Sequence, residues 1–305
     1  PVLSLIYGLT SLWFFGAHAA RIARRLIPLG LTITALLVGS LAVEPFLYAA
    51  LFIEMAVLLA VPLLSPPEQK PGRGIIYFLI YQTLAMPFIL FSGWLLAGVE
   101  ASPGDLILVA QSATLLGLGF AFLLAIFPLY TWLPLLLQEA SPYAVGFILW
   151  LLSTITILFG ASFLDRYTWL REAPQMSIVL RSVGLLMLVT GGVSAAFQRH
   201  LGRMMGYAFI SGTGFSLMAL SISGEWGVTA LFLLAIPQAV GLAMWALALS
   251  MFKIHNSTLQ FRDFKGYAQQ SPVASAGIVL AHLSLAGMPL LASFPAIFSI
   301  WEGVA

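Results

Sequence analysis

Residues 121–134 read AFLLAIFPLYTWLP. An apolar helix runs into Pro128, and Pro134 follows after an aromatic Tyr-Thr-Trp step. Proline inside a helix removes one backbone hydrogen bond and clashes with the preceding turn, so the helix is predicted to break here. The stretch carries no charge. Irregular backbone at membrane depth is tolerated only where protein buries it or water lines it. The break therefore predicts a helical bundle with an interior, not a lone anchor.

Composition fixes the class. The chain has 305 residues, of which 61% are hydrophobic and 8% charged. Its mean hydropathy is +1.02. A soluble domain carries roughly 25% charged residues. A membrane protein is the reading that fits. There is no cysteine, which excludes disulfides, thiolate metal sites and a cysteine nucleophile. The net charge of +2 does not imply nucleic acid, because the 13 Lys and Arg are scattered over loops. The chain opens at Pro1 directly on an apolar segment, with no visible cleavable signal, and stops at Ala305 soon after another. We therefore expect a piece or a processed form of something longer.

Apolar runs of helix length fall at about 2–18, 27–43, 45–64, 74–98, 105–127, 143–163, 177–197, 204–222, 227–252 and 272–298. The runs are continuous, unlike the alternating strands of an outer-membrane barrel. The loops between them alternate in charge. Arg21, Arg24, Arg25, Lys70, Arg73, Arg199, Arg203, Lys253, Arg262 and Lys265 all fall on one side. The other side carries Glu44, Glu100, Asp105 and Glu225, with Arg166 and Arg171. The basic side is expected to face the cytoplasm or its equivalent. The polar breaks 65–74 and 255–270 are too short for a soluble domain, so the whole chain, 1–305, reads as one transmembrane domain.

Few polar groups fall inside these spans. Glu54 sits near the middle of its span, where a charge costs roughly 2.5–3.5 kcal/mol to insert, so it must face a partner or water. It is a candidate proton-relay carboxylate or a structural hydrogen-bonded one. His282 is a candidate proton shuttle or a packed histidine. Gln238 follows Pro237, and its amide can satisfy the carbonyl that the proline frees. Ser153 and Thr154 are expected to bond across helices or to their own backbone. The glycines of GTG, 212–214, read as close helix packing. The four histidines lie far apart and no nucleotide motif is present, so no cofactor or metal is expected in the chain itself.

FPLYTWLPLLLQEASP, 127–142, resembles the proline-broken helix of the antiporter-like subunits of respiratory complex I. Multisubunit cation/proton antiporters and membrane-bound hydrogenases share these subunits. Pro128, Trp132, Leu133, Pro134 and Glu139 match its Pro-Phe-His-Trp-Leu-Pro run and the acidic-Ala-Pro step after it. Four more stretches resemble the family in its own order: 46–64, which carries Glu54 at the family's glutamate, then 72–90, 197–220 and 283–298. The resemblance covers nearly the whole chain, from about the family's third helix to about its twelfth.

The resemblance implies an all-α, polytopic membrane helical bundle of about ten transmembrane helices. It implies two inverted five-helix repeats with broken helices, approximately 27–163 and 177–298, after a leading helix in 1–26. The breaks are expected near Pro128 and Pro237, about 109 residues apart. It further implies a multi-pass place in a bacterial inner membrane or an equivalent energy-transducing membrane, with other membrane subunits of a complex I-like assembly and the lipid bilayer as partners.

The sequence departs from the family where ionisable groups are expected. By register the lysine of the broken helix falls at Leu123, and a second Lys or His at Ser153. The histidine and lysine of the second broken helix fall near Gln238 and Leu242. A terminal Lys or Glu falls at Ile297, and the histidine of a Ser-His-x-Gly run at Gly212. No Lys or Arg lies between Arg73 and Arg166, so the first lysine is missing in any register. A lysine beside a carboxylate makes a switchable proton store. Without it Glu54 lacks its expected counter-charge. The candidate ion path is thus Glu54, Ser153, Gln238 and His282, with proton translocation by this chain in doubt. The expected role is a membrane-arm subunit of an NADH- or ferredoxin-fed quinone oxidoreductase-like assembly. The alternatives are a purely structural scaffold and a cation/proton antiporter subunit.

Overall fold

The computed structural model describes residues 2–44, 47–65, 70–101, 106–171, 174–222, 224–255 and 258–304. Glu100 belongs to a described helix, whereas Asp105 lies outside the described residues. The chain is helical throughout, and among the described residues the one β contact is an isolated bridge between His200 and Gln260. The first half is α1 (Val2–Ala19), α2 (Ala23–Ala42), α3 (Leu47–Leu64), α4 (Arg73–Ala101), α5 (Leu106–Leu123), α6 (Trp132–Glu139) and α7 (Pro142–Arg166). The second is the short α8 (Thr168–Arg171), then α9 (Pro174–Ala196), α10 (Leu201–Leu220), α11 (Glu225–His255), α12 (Tyr267–Gln270), α13 (Pro272–Leu285) and α14 (Phe294–Val304). By length and hydropathy, 6 of these helices qualify as membrane spans: α1, α2, α7 and most of α4, α9 and α11. This is an integral, multi-pass membrane protein.

The centre is α7. Its sequence is apolar on every face, the pattern of a helix buried all round. Tyr143 through Leu152 are buried without interruption. It packs against α2, α3, α5, α6, α10 and α11. Trp13 of α1 lies against Tyr143, Phe147 and Trp150. The Tyr143 hydroxyl donates to the Trp13 carbonyl at 2.7 Å, which ties α1 to the core. In the bilayer such contacts hold helices together through close packing and hydrogen bonds, since lipid is as apolar as leucine. The α9–α10 pair shows the close approach expected of the 212–214 glycines: a Cβ on Gly214 would lie 2.6 Å from the Gly184 carbonyl.

Two expected features of the helix breaks are corrected. Pro237 lies inside α11, which runs from Glu225 to His255. Neighbouring helices can satisfy the groups that a membrane proline frees; α11 packs on α7, α10, α13 and α14, while Leu233, Ile236 and Val240 beside the proline face outward. Pro134 likewise sits in the first turn of α6, where a missing N–H costs nothing. The second interruption lies elsewhere. The apolar run 272–298 divides into α13 and α14, just as 105–127 ends early at Leu123.

Candidate functional site at the helix breaks

The two breaks are built alike. After α5, Ala125 N–H donates to Phe122 O and Ile126 N–H to Ala121 O, with Ala125 at φ 52. After α13, Gly287 N–H donates to Ser284 O and Met288 N–H to Leu283 O, with Gly287 at φ 75. Both are Schellman caps, in which a left-handed residue lets the last carbonyls find donors. The match continues outward: Leu129 N–H reaches Ile126 O, and Leu291 N–H reaches Met288 O. A proline follows each cap, at Pro128 and Pro289, and forbids the helix from resuming at once. The caps explain why α5 stops before Pro128 while α11 continues through Pro237.

Each break has neutral side chains beside it. Gln82 of α4 is fully buried, and its amide donates to the Leu123 carbonyl at 3.3 Å. That carbonyl is one of those the helix end leaves unpaired. At the second break, the Ser284 and Ser293 hydroxyls meet at 3.0 Å across the gap. His282 stands one turn before it, its ring edge-on to Trp245 at 5.2 Å.

Ser153 lines two crevices. One also touches Gln82, Leu123, Ala125, Trp132 and Phe209. The other runs past Trp150, Phe209, Gly212, Ser216, Gln238 and Leu242. Ser153 and Phe209 belong to both, so the space beside the first break adjoins the space beside Gln238. Within the second crevice the Gln238 amide donates to Gly212 O at 2.9 Å, and Ser216 Oγ lies 3.5 Å from Gln238 Oε1. Ser153 Oγ itself donates back to Trp150 O. Gln82 Oε1, Trp132 Nε1 and Trp150 Nε1 are buried without a partner among the described residues. Buried polar atoms are normally paired, often through water, so these crevices have the polar lining to hold water.

The sequence candidates thus divide. Ser153 and Gln238 share a crevice, with Gly212 beside them. Glu54 does not join them. It is half-buried between α3 and α4, where Oε1 accepts from Thr83 at 2.8 Å and Oε2 has no partner among the described residues. Thr83 is exposed, and so are the neighbouring Leu51, Met55 and Ile80. Glu54 therefore lies toward the outer side of the α3–α4 pair, with its Oε2 itself buried. His282 contacts Trp245 instead of the crevices, and its Nδ1 is also without a partner among the described residues. Leu123, Leu242 and Ile297, where ionisable residues were expected, are 3%, 4% and 6% exposed, so they face the core as hydrophobic packing. Gln238 and Leu242 lie on a continuous helix, not a broken one. Gln82 carries no role in the sequence reading, although an amide in the middle of an apolar helix signals a required partner.

A third buried polar contact positions the far half of the first break. The Glu139 carboxylate, at the end of α6, accepts from Gly74 N–H at 2.8 Å. Gly74 is in the first turn of α4, where unpaired N–H groups and the helix dipole favour an anion.

Comparison with known proteins agrees with this architecture. Residues 74–305 match the family described as NADH:quinone oxidoreductase/Mrp antiporter, TM. NADH-quinone oxidoreductase subunit N 2 of Acidobacterium capsulatum is 26% identical over 251 residues, covering 76% of this chain and 50% of that protein. NAD(P)H-quinone oxidoreductase subunit 2 of Thermosynechococcus vestitus is 25% identical, covering 77% and 48%. The chain spans about half the length of these curated relatives. A chain of respiratory complex I from Thermus thermophilus with bound NADH superposes with a TM-score of 0.75 at 23% identity, over 99% of this chain and 67% of that one. A chain of the Mrp complex from Dietzia superposes with a TM-score of 0.71 at 16% identity, over 99% and 66%. With more than half of its length matched, the chain belongs to the NADH:quinone oxidoreductase/Mrp antiporter transmembrane family.

Proposed function

We propose that this chain is a membrane-arm component of a complex I-type quinone oxidoreductase assembly, serving as a scaffold with a vestigial ion path. One observation carries the reading. Both helix breaks are present, yet neutral Gln82, Ser284 and Ser293 bond at them, the hydrophobic Leu123, Leu242 and Ile297 are buried, and the ionisable His282 one turn before the second break packs on Trp245 away from the crevices. Proton transfer through a membrane needs groups that exchange protons, and such residues mark the relays of pumps. Ser153, Gln238 and Gln82 can hydrogen-bond but hold no exchangeable charge.

A place among other membrane subunits follows from Glu54. Its Oε2 is buried without a partner among the described residues and exposed apolar side chains flank it, so a subunit packed on this face would keep the mid-span carboxyl away from lipid. The printed names of the relatives support the type of assembly. The test is Glu54→Gln in the intact assembly. Quinone reduction and proton pumping should both stay within about twofold of the parent. A severe loss of pumping with assembly intact would refute the scaffold role and favour a proton path through Glu54 itself, apart from the crevices.

A further inference from the structure

A cavity larger than either crevice lies away from the breaks. It has a volume of about 720 Å³ and opens at the basic end of the bundle. Five basic residues line it: His18, Arg21, Arg24 and Arg25 from the α1–α2 connection, and Lys253 from the end of α11. All lie on the side that the loop charges assign to the cytoplasm or its equivalent. The remaining wall comes from the end of α3 and from the α6–α7 junction, so two helix junctions and the ends of α3 and α11 converge on it.

The cations are positioned and uncommitted. Arg21 is held at φ 57 by bonds from Arg21 N–H to His18 O and Ile22 N–H to Ala17 O. This is a third Schellman cap, with arginine where glycine is usual. Lys253 Nζ donates to Ala140 O at 2.9 Å, which fixes the ammonium while leaving it donors to spare. Among the described residues, no carboxylate lies within ion-pair distance of Arg21, Arg24, Arg25 or Lys253. The acid in the wall is Glu139, and its Oε2 is engaged by Gly74 N–H. Among the described residues three arginines and a lysine face one carboxylate, and this excess of positive charge in a fixed concave site selects an anion. Arginine forks match phosphate oxygens in particular.

The walls are also apolar. Ile22, Leu63, Leu64 and Ile254 line the same space. All four sit at or beside helix ends on the basic side of the bundle. Free phosphate has no use for such a wall, whereas a glycerophospholipid offers a charged phosphodiester above and glycerol and acyl carbons below. Basic pockets between transmembrane helices on the cytoplasmic side are suited to anionic headgroups. From this convergence we propose that the vestibule between α1–α2, α3, α6–α7 and α11 is a binding site for the phosphate headgroup of an anionic phospholipid. The site does not depend on whether an ion path survives in the chain.

The test uses the intact assembly that carries this chain, exchanged into detergent and titrated with phosphatidylglycerol, phosphatidylcholine or inorganic phosphate. Bound lipid is read by native mass spectrometry and by crosslinking of a photoreactive phosphatidylglycerol to this subunit. We expect phosphatidylglycerol to bind in preference to phosphatidylcholine and to weaken as ionic strength rises. The combined Arg21→Gln, Arg24→Gln and Arg25→Gln variant should bind it on the order of 100-fold more weakly, from about fivefold per arginine. Lys253→Met and the corresponding Arg→Lys changes give milder variants in case the triple one fails to assemble. The wild-type preference and salt dependence test the site without any variant. Equal binding of phosphatidylcholine, or phosphatidylglycerol binding unchanged in the variants, overturns the proposal. Complete displacement by millimolar inorganic phosphate overturns the lipid assignment in favour of a free anion. A crosslink showing the vestibule filled by an acidic segment of another subunit overturns it as well.

Discussion

Gly74→Ala sets two general rules against each other. Alanine is the better helix former by about 1 kcal/mol, and Gly74 is the second residue of α4, so propensity alone predicts stabilisation. Packing predicts the reverse. A Cβ on Gly74 would lie 2.6 Å from both Leu135 C and Leu136 Cα, and would also meet the Leu136 nitrogen. These are backbone atoms of α6, so no rotamer change relieves the contact and the start of α4 must move off α6. Over-packing of this kind costs about 1–3 kcal/mol. The movement also stretches the 2.8 Å bond from Gly74 N–H to Glu139, and an orphaned buried group costs a further 1–3 kcal/mol or so. After subtracting the propensity gain, the net loss is about 1–5 kcal/mol. Gly117 of α5 is the internal control, because a Cβ there meets nothing within 4 Å. Gly117→Ala should be neutral or stabilise by up to about 1 kcal/mol. The assay is thermal unfolding of the detergent-solubilised subunit or its assembly, followed by intrinsic fluorescence. A Gly74→Ala protein as stable as Gly117→Ala would refute the argument that α4 and α6 touch backbone to backbone.

Gln238→Leu removes the bond to Gly212 O at 2.9 Å and should cost about 0.6–1.7 kcal/mol, the range for hydrogen bonds between membrane helices, read as a lower unfolding midpoint. The pH prediction concerns His200, which caps α10 by accepting Arg203 N–H on Nδ1. Burial, then the positive charges of Arg203 and Lys253, lowers its pKa below the ordinary 6.5. The unfolded chain therefore binds the proton first as pH falls, so this contribution to stability is present above pH 6.5 or so and is lost on acidification through the folded value. His200→Asn keeps a cap acceptor and should flatten the stability–pH curve in that window; an unchanged slope in the variant would assign the titration to another group.

The sequence made part of this legible, for physical reasons that differ from residue to residue. Membrane class, helix register and the basic side follow from averages over many residues, which single contacts cannot overturn. The first break was readable because Pro128 interrupts an otherwise uniform apolar run. The same rule points to Pro237 for the second and fails there, because a proline in a long membrane helix packed on its neighbours need not end it. The better marker is a left-handed cap just before a proline, and Gly287-Met288-Pro289 carries it openly. Ala125 hides it, since alanine seldom adopts that conformation. Glu54 and Gln238 stood out as polar groups in apolar helices, but their partners did not, because Thr83 and Gly212 are set by tertiary packing. Gln82 went unassigned for that reason: its acceptor, Leu123 O, lies 41 residues away on another helix.

The retention of both breaks without the expected charges has a physical logic. A Schellman cap satisfies some of the end carbonyls but not all of them, so a broken helix in a membrane still requires donors from neighbouring helices. A lysine can serve, but burying its ammonium costs several kcal/mol unless a carboxylate accompanies it. Once the carboxylate has another partner, as Glu54 has in Thr83, the lysine becomes a liability. A primary amide supplies the same N–H with no charge to compensate, and Gln82 does this for Leu123. Leucine at position 123 with glutamine at 82 therefore supports the break with no buried charge beside it. The fold does not need the charges that the chemistry does, so the breaks can outlast the pump.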